Sequence, residues 1–154
     1  MRAAILVGLI VLCQGVGVMG ARWTAPEIRT WYRGLRKPRF NPPAWVFGPV
    51  WTVLYTLMAV AAWMMTVAPG SGSRTAGLVL FAVQLGLNLG WPWIFFRLHA
   101  PGTALAELIV LWAAIAATTA LFWRVDEAAA WLMLPYLGWT AFAAVLNGAI
   151  RRLN

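Results

Sequence analysis

Five apolar stretches divide the chain, from Ala3 to Ala21, Trp45 to Val67, Gly77 to Phe96, Ala104 to Trp123 and Ala128 to Ile150. Each approaches the roughly 20 mostly apolar residues that a helix needs to cross bilayer hydrocarbon. The pattern predicts an all-α membrane protein, a single domain over residues 1–154 built as a five-transmembrane-helix bundle. One long connection, Arg22 to Ala44, and three short ones join the spans, with no internal repeat and no low-complexity linker. The first stretch ends in small residues, as a signal peptide does. It is nevertheless long enough to span, and Arg22, Arg29, Arg33, Arg36, Lys37 and Arg39 follow it, a basic segment that resists translocation. It reads as an uncleaved helix.

Composition removes the soluble alternatives. The chain is 62% hydrophobic and 10% charged, where a soluble domain carries about a quarter charged residues. Its four acids, Glu27, Glu107, Asp126 and Glu127, are too few to build a water-exposed surface. Cys13 and His99 are each the only residue of their kind. Disulfide, Cys-x-x-Cys, most zinc and haem-ligation sites, and triad chemistry therefore drop out, and no metal site is expected. The net charge of +8 belongs to topology rather than to a nucleic-acid partner, because the cations lie between apolar stretches. Arg22, Arg29, Arg33, Arg36, Lys37, Arg39, Arg97, Arg151 and Arg152 fall on one side of a five-span chain, and Arg2, Arg74 and Arg124 on the other. In a bacterial cell membrane, the positive-inside rule then places the N-terminus outside and the first loop in the cytoplasm. An outer membrane would follow other rules.

The first loop carries Trp23, Trp31, Tyr32 and Phe40, apolar bodies that are costly to leave in water. It is expected to fold as a lid over the bundle. Asn41-Pro42-Pro43 has the form of a helix start, with Asn41 as N-cap. The cations Arg33, Arg36, Lys37 and Arg39 fit topology and anionic lipid, and a second reading gives them the acidic tails of an amphipathic ligand.

Inside the spans, Gln84 and Asn88 stack four residues apart on one face of the third. Ala82, Gly86 and Gly90 form a small-residue row roughly 160° away. Two readings stand: both rows serve packing within one chain, or the amides face a ligand cavity and the small row a homodimer. In the fifth span Pro135, Trp139, Ala143 and Asn147 share a face. Alone they would be core. With Trp51 and the amides they describe a flat, sparsely polar pocket wall. Glu107, near a helix end, is expected to reach the interface beside Arg97.

These residues resemble the TspO/MBR family of tryptophan-rich sensory and translocator proteins. The resemblance rests on Trp31-Tyr32-x-x-Leu35-x-Lys37-Pro38-x-Phe40-x-Pro42-Pro43-x-Trp45-Val46-Phe47, then Trp51-x-x-Leu54-Tyr55-x-x-Met58. Gln84-x-x-x-Asn88-x-x-Trp91 with Phe95-Phe96, and Pro135-Tyr136-Leu137-x-Trp139-x-x-Phe142-Ala143 with Leu146-Asn147, complete it in order. The resemblance implies a commonly dimeric five-helix bundle whose cavity binds porphyrins such as protoporphyrin IX, drug-like amphipaths and in some members cholesterol. It also implies porphyrin degradation in light for some members, with Trp51 and Trp139 matching the two tryptophans implicated. By position the resemblance matches Tyr32, Gln84 and Asn88 to the cavity lining and Ala143 to ligand and sterol effects; with Trp31, Phe47, Trp51, Trp91, Tyr136, Trp139 and Asn147 they make up the expected ligand-binding set. The family's sterol motif lacks its tyrosine in Val145 to Arg151, which puts cholesterol in doubt.

A porphyrin is a flat apolar disc with acidic tails, suited to indole walls and a basic rim. It enters as ligand, and no cofactor is required. The sequence shows no general base or activated nucleophile, so catalysis would depend on light, oxygen and the bound pigment. Two other functions fit a pocket in a membrane bundle: a carrier of tetrapyrroles or other amphipathic molecules, and a scaffold controlled by its ligand.

Overall fold

A computed structural model describes all 154 residues. Its long helices are α1 (Arg2–Arg29), α3 (Ala44–Val67), α4 (Gly72–Pro92), α5 (Pro101–Trp123) and α6 (Glu127–Leu153). A short helix, α2 (Trp31–Gly34), lies in the first loop, and a π-helical turn, Trp93–Arg97, extends α4. All five long helices have the length and hydropathy of membrane spans. The chain is an integral, multi-pass membrane protein.

The helices close into a ring. α1 packs between α3 and α4, α3 continues to α6, α6 to α5, and α5 returns to α4. The main core lies within this ring, built on Met58, Met65, Ile115, Phe122, Met133 and Tyr136. A second, smaller core sits at the lid end, where Tyr32 packs with Phe95, Phe96, Ala104, Leu146 and Ile150. The first loop is therefore structured, and it caps one end of the bundle as expected. Asn154 fastens its far side: the backbone N–H of Arg36 donates to Asn154 Oδ1 at 2.9 Å, and Asn154 Nδ2 donates to the Arg36 carbonyl at 3.0 Å.

The helices outrun the apolar stretches that announced them. α1 continues from Ala21 to Arg29, through Pro26, because Trp23 and Ile28 still pack on neighbouring helices after hydropathy falls. α4 begins at Gly72 rather than Gly77, where Ser71 Oγ accepts from the N–H of Arg74 at 3.1 Å. Pro101 opens α5 as its first residue, and Asp126 caps α6 by accepting from Ala129 at 3.2 Å. Asn41 is not the cap of α3. Pro43 holds that position, while the Asn41 side chain accepts from Tyr32 and donates to the Pro42 carbonyl. The lid's own hydrogen bonding takes the amide away from the helix end.

Polar side chains complete what the backbone leaves open. Arg74 donates to the carbonyls of Met65 and Thr66 at 2.8 and 2.9 Å, capping the C-terminal end of α3. Gln14 of α1 donates to the Thr52 carbonyl and to Thr56 Oγ1 of α3, at 2.9 and 3.0 Å. In lipid such an amide must find a protein partner, and here it joins two helices.

Candidate functional site

Beneath the lid lies a cavity of about 390 Å³, within the size range of small-molecule sites. Its wall draws on every long helix and on the lid: Gln14 and Gly17 from α1, Tyr32 from α2, Phe47, Trp51 and Tyr55 from α3, Asn88 and Trp91 from α4, Leu108 and Leu111 from α5, and Trp139, Ala143 and Asn147 from α6. The small residues Gly17, Ala21 and Ala25, with Ala44 and Gly48, form the wall on the side of α1 and α3. Gly17 has a steric reason. A β-carbon there would fall 2.5 Å from the Tyr55 ring, so only glycine admits that ring between α1 and α3.

Aromatic rings make most of the remaining surface. Phe47 meets Trp139 edge to face at 5.9 Å, and Trp51 meets Tyr136 in the same way at 6.1 Å. Trp91 stacks on Phe95 at 5.1 Å. Two lining residues keep a buried polar atom without a hydrogen-bond partner: the indole N–H of Trp91 and Oδ1 of Asn147. The other half of the Asn147 amide donates to the Pro101 carbonyl at 2.7 Å, which fixes its orientation. One free donor and one free acceptor in an aromatic wall can orient a flat ligand that carries both kinds of group.

Eight of the sequence-nominated residues thus meet at one cavity: Tyr32, Phe47, Trp51, Asn88, Trp91, Trp139, Ala143 and Asn147. Three others stand elsewhere. Gln84 and Tyr136 lie behind the wall, fully buried. The Tyr136 hydroxyl donates to Gln84 Oε1 at 2.8 Å and accepts from Asn88 Nδ2 at 2.8 Å, while Asn88 Oδ1 accepts from Tyr55. Three helices are joined by this chain of bonds, and its cavity-side members are Asn88 and Tyr55. Trp31 packs beside the cavity rather than in its wall, stacked on His99 with ring centres 4.3 Å apart and edge to face on Phe95 at 5.6 Å.

The lid itself is pinned at Tyr32. Its hydroxyl donates to Asn41 Oδ1 at 2.9 Å, and the Lys37 ammonium lies 4.6 Å above its ring. Burial raises the pKa of this phenol, opposed by the bond to Asn41. A further fastening was not foreseen from sequence. His99 Nε2 is 3.1 Å from Glu27 Oε2, within hydrogen-bond distance, and His99 reaches it from a left-handed backbone with φ of 50°. A lone histidine and a lone acid 72 positions apart carry no local signal that they meet.

Glu107 departs from expectation. It does not pair with Arg97; both its oxygens are buried without a partner. Three residues after Ala104 and four before Leu111, Glu107 falls on the buried face of α5. One oxygen lies 3.7 Å from where a β-carbon on Gly90 would sit. Gly90 therefore lies against α5, whereas Ala82 and Gly86 of the same row are exposed, and a β-carbon on Gly86 would touch nothing.

Comparison with known proteins agrees with this architecture. The TspO/MBR family model matches residues 9–153. The chain is 41% identical over 149 residues to the tryptophan-rich protein TspO of Chlorobaculum tepidum, covering 94% of this chain and 92% of that protein. It is 41% identical over 138 residues to the human translocator protein, covering 88% and 82% respectively. With the tryptophan-rich sensory protein of Cereibacter sphaeroides it shares 38% over 151 residues, 98% of this chain and 92% of that one. On a match of this extent, the chain belongs to the TspO/MBR family.

Proposed function

We propose that this protein is a membrane receptor or sensor that holds a porphyrin, or a related flat amphipath, in the cavity under its lid. Family membership supports the receptor and sensor role. The observation that carries the ligand class is the wall itself, in which Trp51, Trp91 and Trp139 line one apolar cavity whose few free polar atoms are an indole N–H and an amide oxygen. A tetrapyrrole suits such a wall, with its ring against indoles and its polar groups meeting a few fixed donors and acceptors. In light, Trp51 and Trp139 would stand beside the excited ring as electron donors, and dioxygen would be the oxidant that consumes the pigment.

The test is a dark titration of detergent-solubilised protein with protoporphyrin IX, followed by tryptophan fluorescence. Illumination in air then follows, with porphyrin absorbance recorded. Saturable quenching is expected for the wild type. Trp51→Phe and Trp139→Phe should keep the fold while slowing pigment loss about tenfold or more, the scale of one mislaid reacting group. Absence of saturable binding would remove the ligand assignment; unchanged bleaching in both variants would remove the tryptophans' role.

The exposed half of the small row, Ala82 and Gly86, suits a homodimer made by α4 against a second α4. The excess of arginine and lysine at the lid end suits a cytoplasmic lid and an outside N-terminus in a bacterial cell membrane. Both are read by one set of single cysteines in a Cys13→Ser background. Gly86→Cys should crosslink to its own copy in membranes, and Arg36→Cys should react with an impermeant maleimide only after the inner face is opened. Gly86→Cys that stays monomeric, or Arg36→Cys labelled from outside, would refute the respective half.

A further inference from the structure

A second groove lies at the lid end, outside the bundle and sharing no residue with the cavity. Leu105 of α5 and Val145 and Gly148 of α6 form its apolar length, and Phe40 of the lid lies beside them. Val145 is 63% exposed and Phe40 50% exposed. The groove is deep at Gly148 because that position has no side chain; a β-carbon there would already lie 3.8 Å from Leu105. At its end stand Arg151 and Arg152, both exposed.

No acid answers these two cations. Of the four in the chain, Glu27 pairs with His99, Glu107 is buried against Gly90, and Asp126 and Glu127 lie at the opposite end of α6. Arg151 moreover lies on the first turn of α5, its Nε 3.4 Å from where a β-carbon on Gly102 would sit. That turn carries unpaired backbone N–H groups and the positive end of the helix dipole. Two guanidinium groups and a positive helix end thus converge at the mouth of an apolar groove, in a protein surrounded by lipid.

We propose that this groove binds an anionic phospholipid. The phosphate sits between Arg151, Arg152 and the first turn of α5, and one acyl chain lies along Leu105, Val145 and Gly148. Charge complementarity selects the headgroup, since cations beside a membrane surface favour anionic lipid. The apolar length continuing from the cations selects a lipid over a free anion: Val145 lies roughly 9 Å along the helix from Arg151, beyond the reach of a phosphate alone. A lipid seated here also touches Phe40, so it joins the lid to α6 from the outside.

The experiment is native mass spectrometry of the detergent-solubilised full chain, offered phosphatidylglycerol or phosphatidylcholine with identical acyl chains. No porphyrin is present. The wild type should retain one phosphatidylglycerol about thirtyfold better than phosphatidylcholine, the preference two cations confer. The double variant Arg151→Gln with Arg152→Gln should lose that preference, and both positions are exposed, so the fold is not at stake. Val145→Trp should weaken retention of both lipids while leaving the preference between them. Equal retention by the wild type, a preference that survives in the double variant, or displacement by millimolar inorganic phosphate would each overturn the proposal.

Discussion

Asn88→Leu will lower the unfolding temperature by about 4–10 °C, and adding Tyr55→Phe will not lower it further. Asn88 is 4% exposed and holds two tyrosines from two other helices, accepting from Tyr55 and donating to Tyr136. Leucine fills similar space and removes both bonds. Tyr136 keeps its donation to Gln84, but the Tyr55 hydroxyl loses its only partner. A buried polar group left unpaired costs about 1–3 kcal/mol. Measured interhelical hydrogen bonds in membranes average only ~0.6 kcal/mol, with a maximum near 1.7. Near the upper measured values, two such losses come to about 2–3 kcal/mol, and each kcal/mol lowers unfolding by about 2–4 °C in a chain of this size. Pairing is what separates this from lost packing. In the wild type Tyr55→Phe should itself destabilise, because it strips Asn88 of a donor; in the Asn88→Leu background it should be neutral or stabilising. Strictly additive effects, measured by thermal unfolding in one detergent, would show that the network holds nothing together.

Ala143→Trp will weaken protoporphyrin IX binding by at least a hundredfold while leaving unfolding within a few degrees of the wild type. Ala143 lines the cavity on the same face of α6 as Trp139 and Asn147. An indole there projects into empty space, so the destabilisation of about 1–3 kcal/mol that follows overpacking of a filled core should not arise. The ligand meets a different situation. The cavity of about 390 Å³ is near the small end of the usual range of roughly 300–1,000 Å³, and a flat rigid ring cannot share it with another bicyclic ring. Ala143→Ser, which adds one atom, should bind nearly as the wild type does. If Ala143→Trp binds porphyrin normally in the dark titration, the pigment rests elsewhere on the protein and the cavity serves some other molecule.

The number, order and approximate place of the spans were legible because lipid demands long apolar runs, and five are present. Helix ends were less so. Hydropathy marks where hydrocarbon stops, while helices stop where capping and packing stop, and α1 runs on to Arg29 on the contacts of Trp23 and Ile28. Helix-start signals at Ser71, Pro101 and Asp126 were present in the sequence. Asn41 gave a similar signal, yet a tertiary bond to Tyr32 claimed it.

The site divides along the same line. Spacing alone set Gln84 and Asn88 on one face, and Trp139, Ala143 and Asn147 on another. Spacing within a helix does not say which layer of the bundle a face enters. Tyr136 and Gln84 therefore lie behind the cavity wall, and Tyr55, four residues beyond Trp51, proves to be a lining residue and the partner of Asn88. Glu107 was misplaced for one reason: the helix start at Pro101 moved it inward by most of a turn.

The π-helical turn at Trp93–Arg97 bears on how the lid is held. Pro92 has no N–H, and the following bonds skip an extra residue, Leu98 donating to the Trp93 carbonyl at 3.0 Å. An uninterrupted α-helix would bring residue 98 back about 100° out of phase with its present bearing. The slip therefore orients everything downstream of it: His99 comes to rest on Trp31 and Glu27 because the helix has absorbed one surplus residue. The lid's latch is thus tuned by chain length. A single insertion inside this turn would leave every partner in the sequence and still point the latch away from its catch.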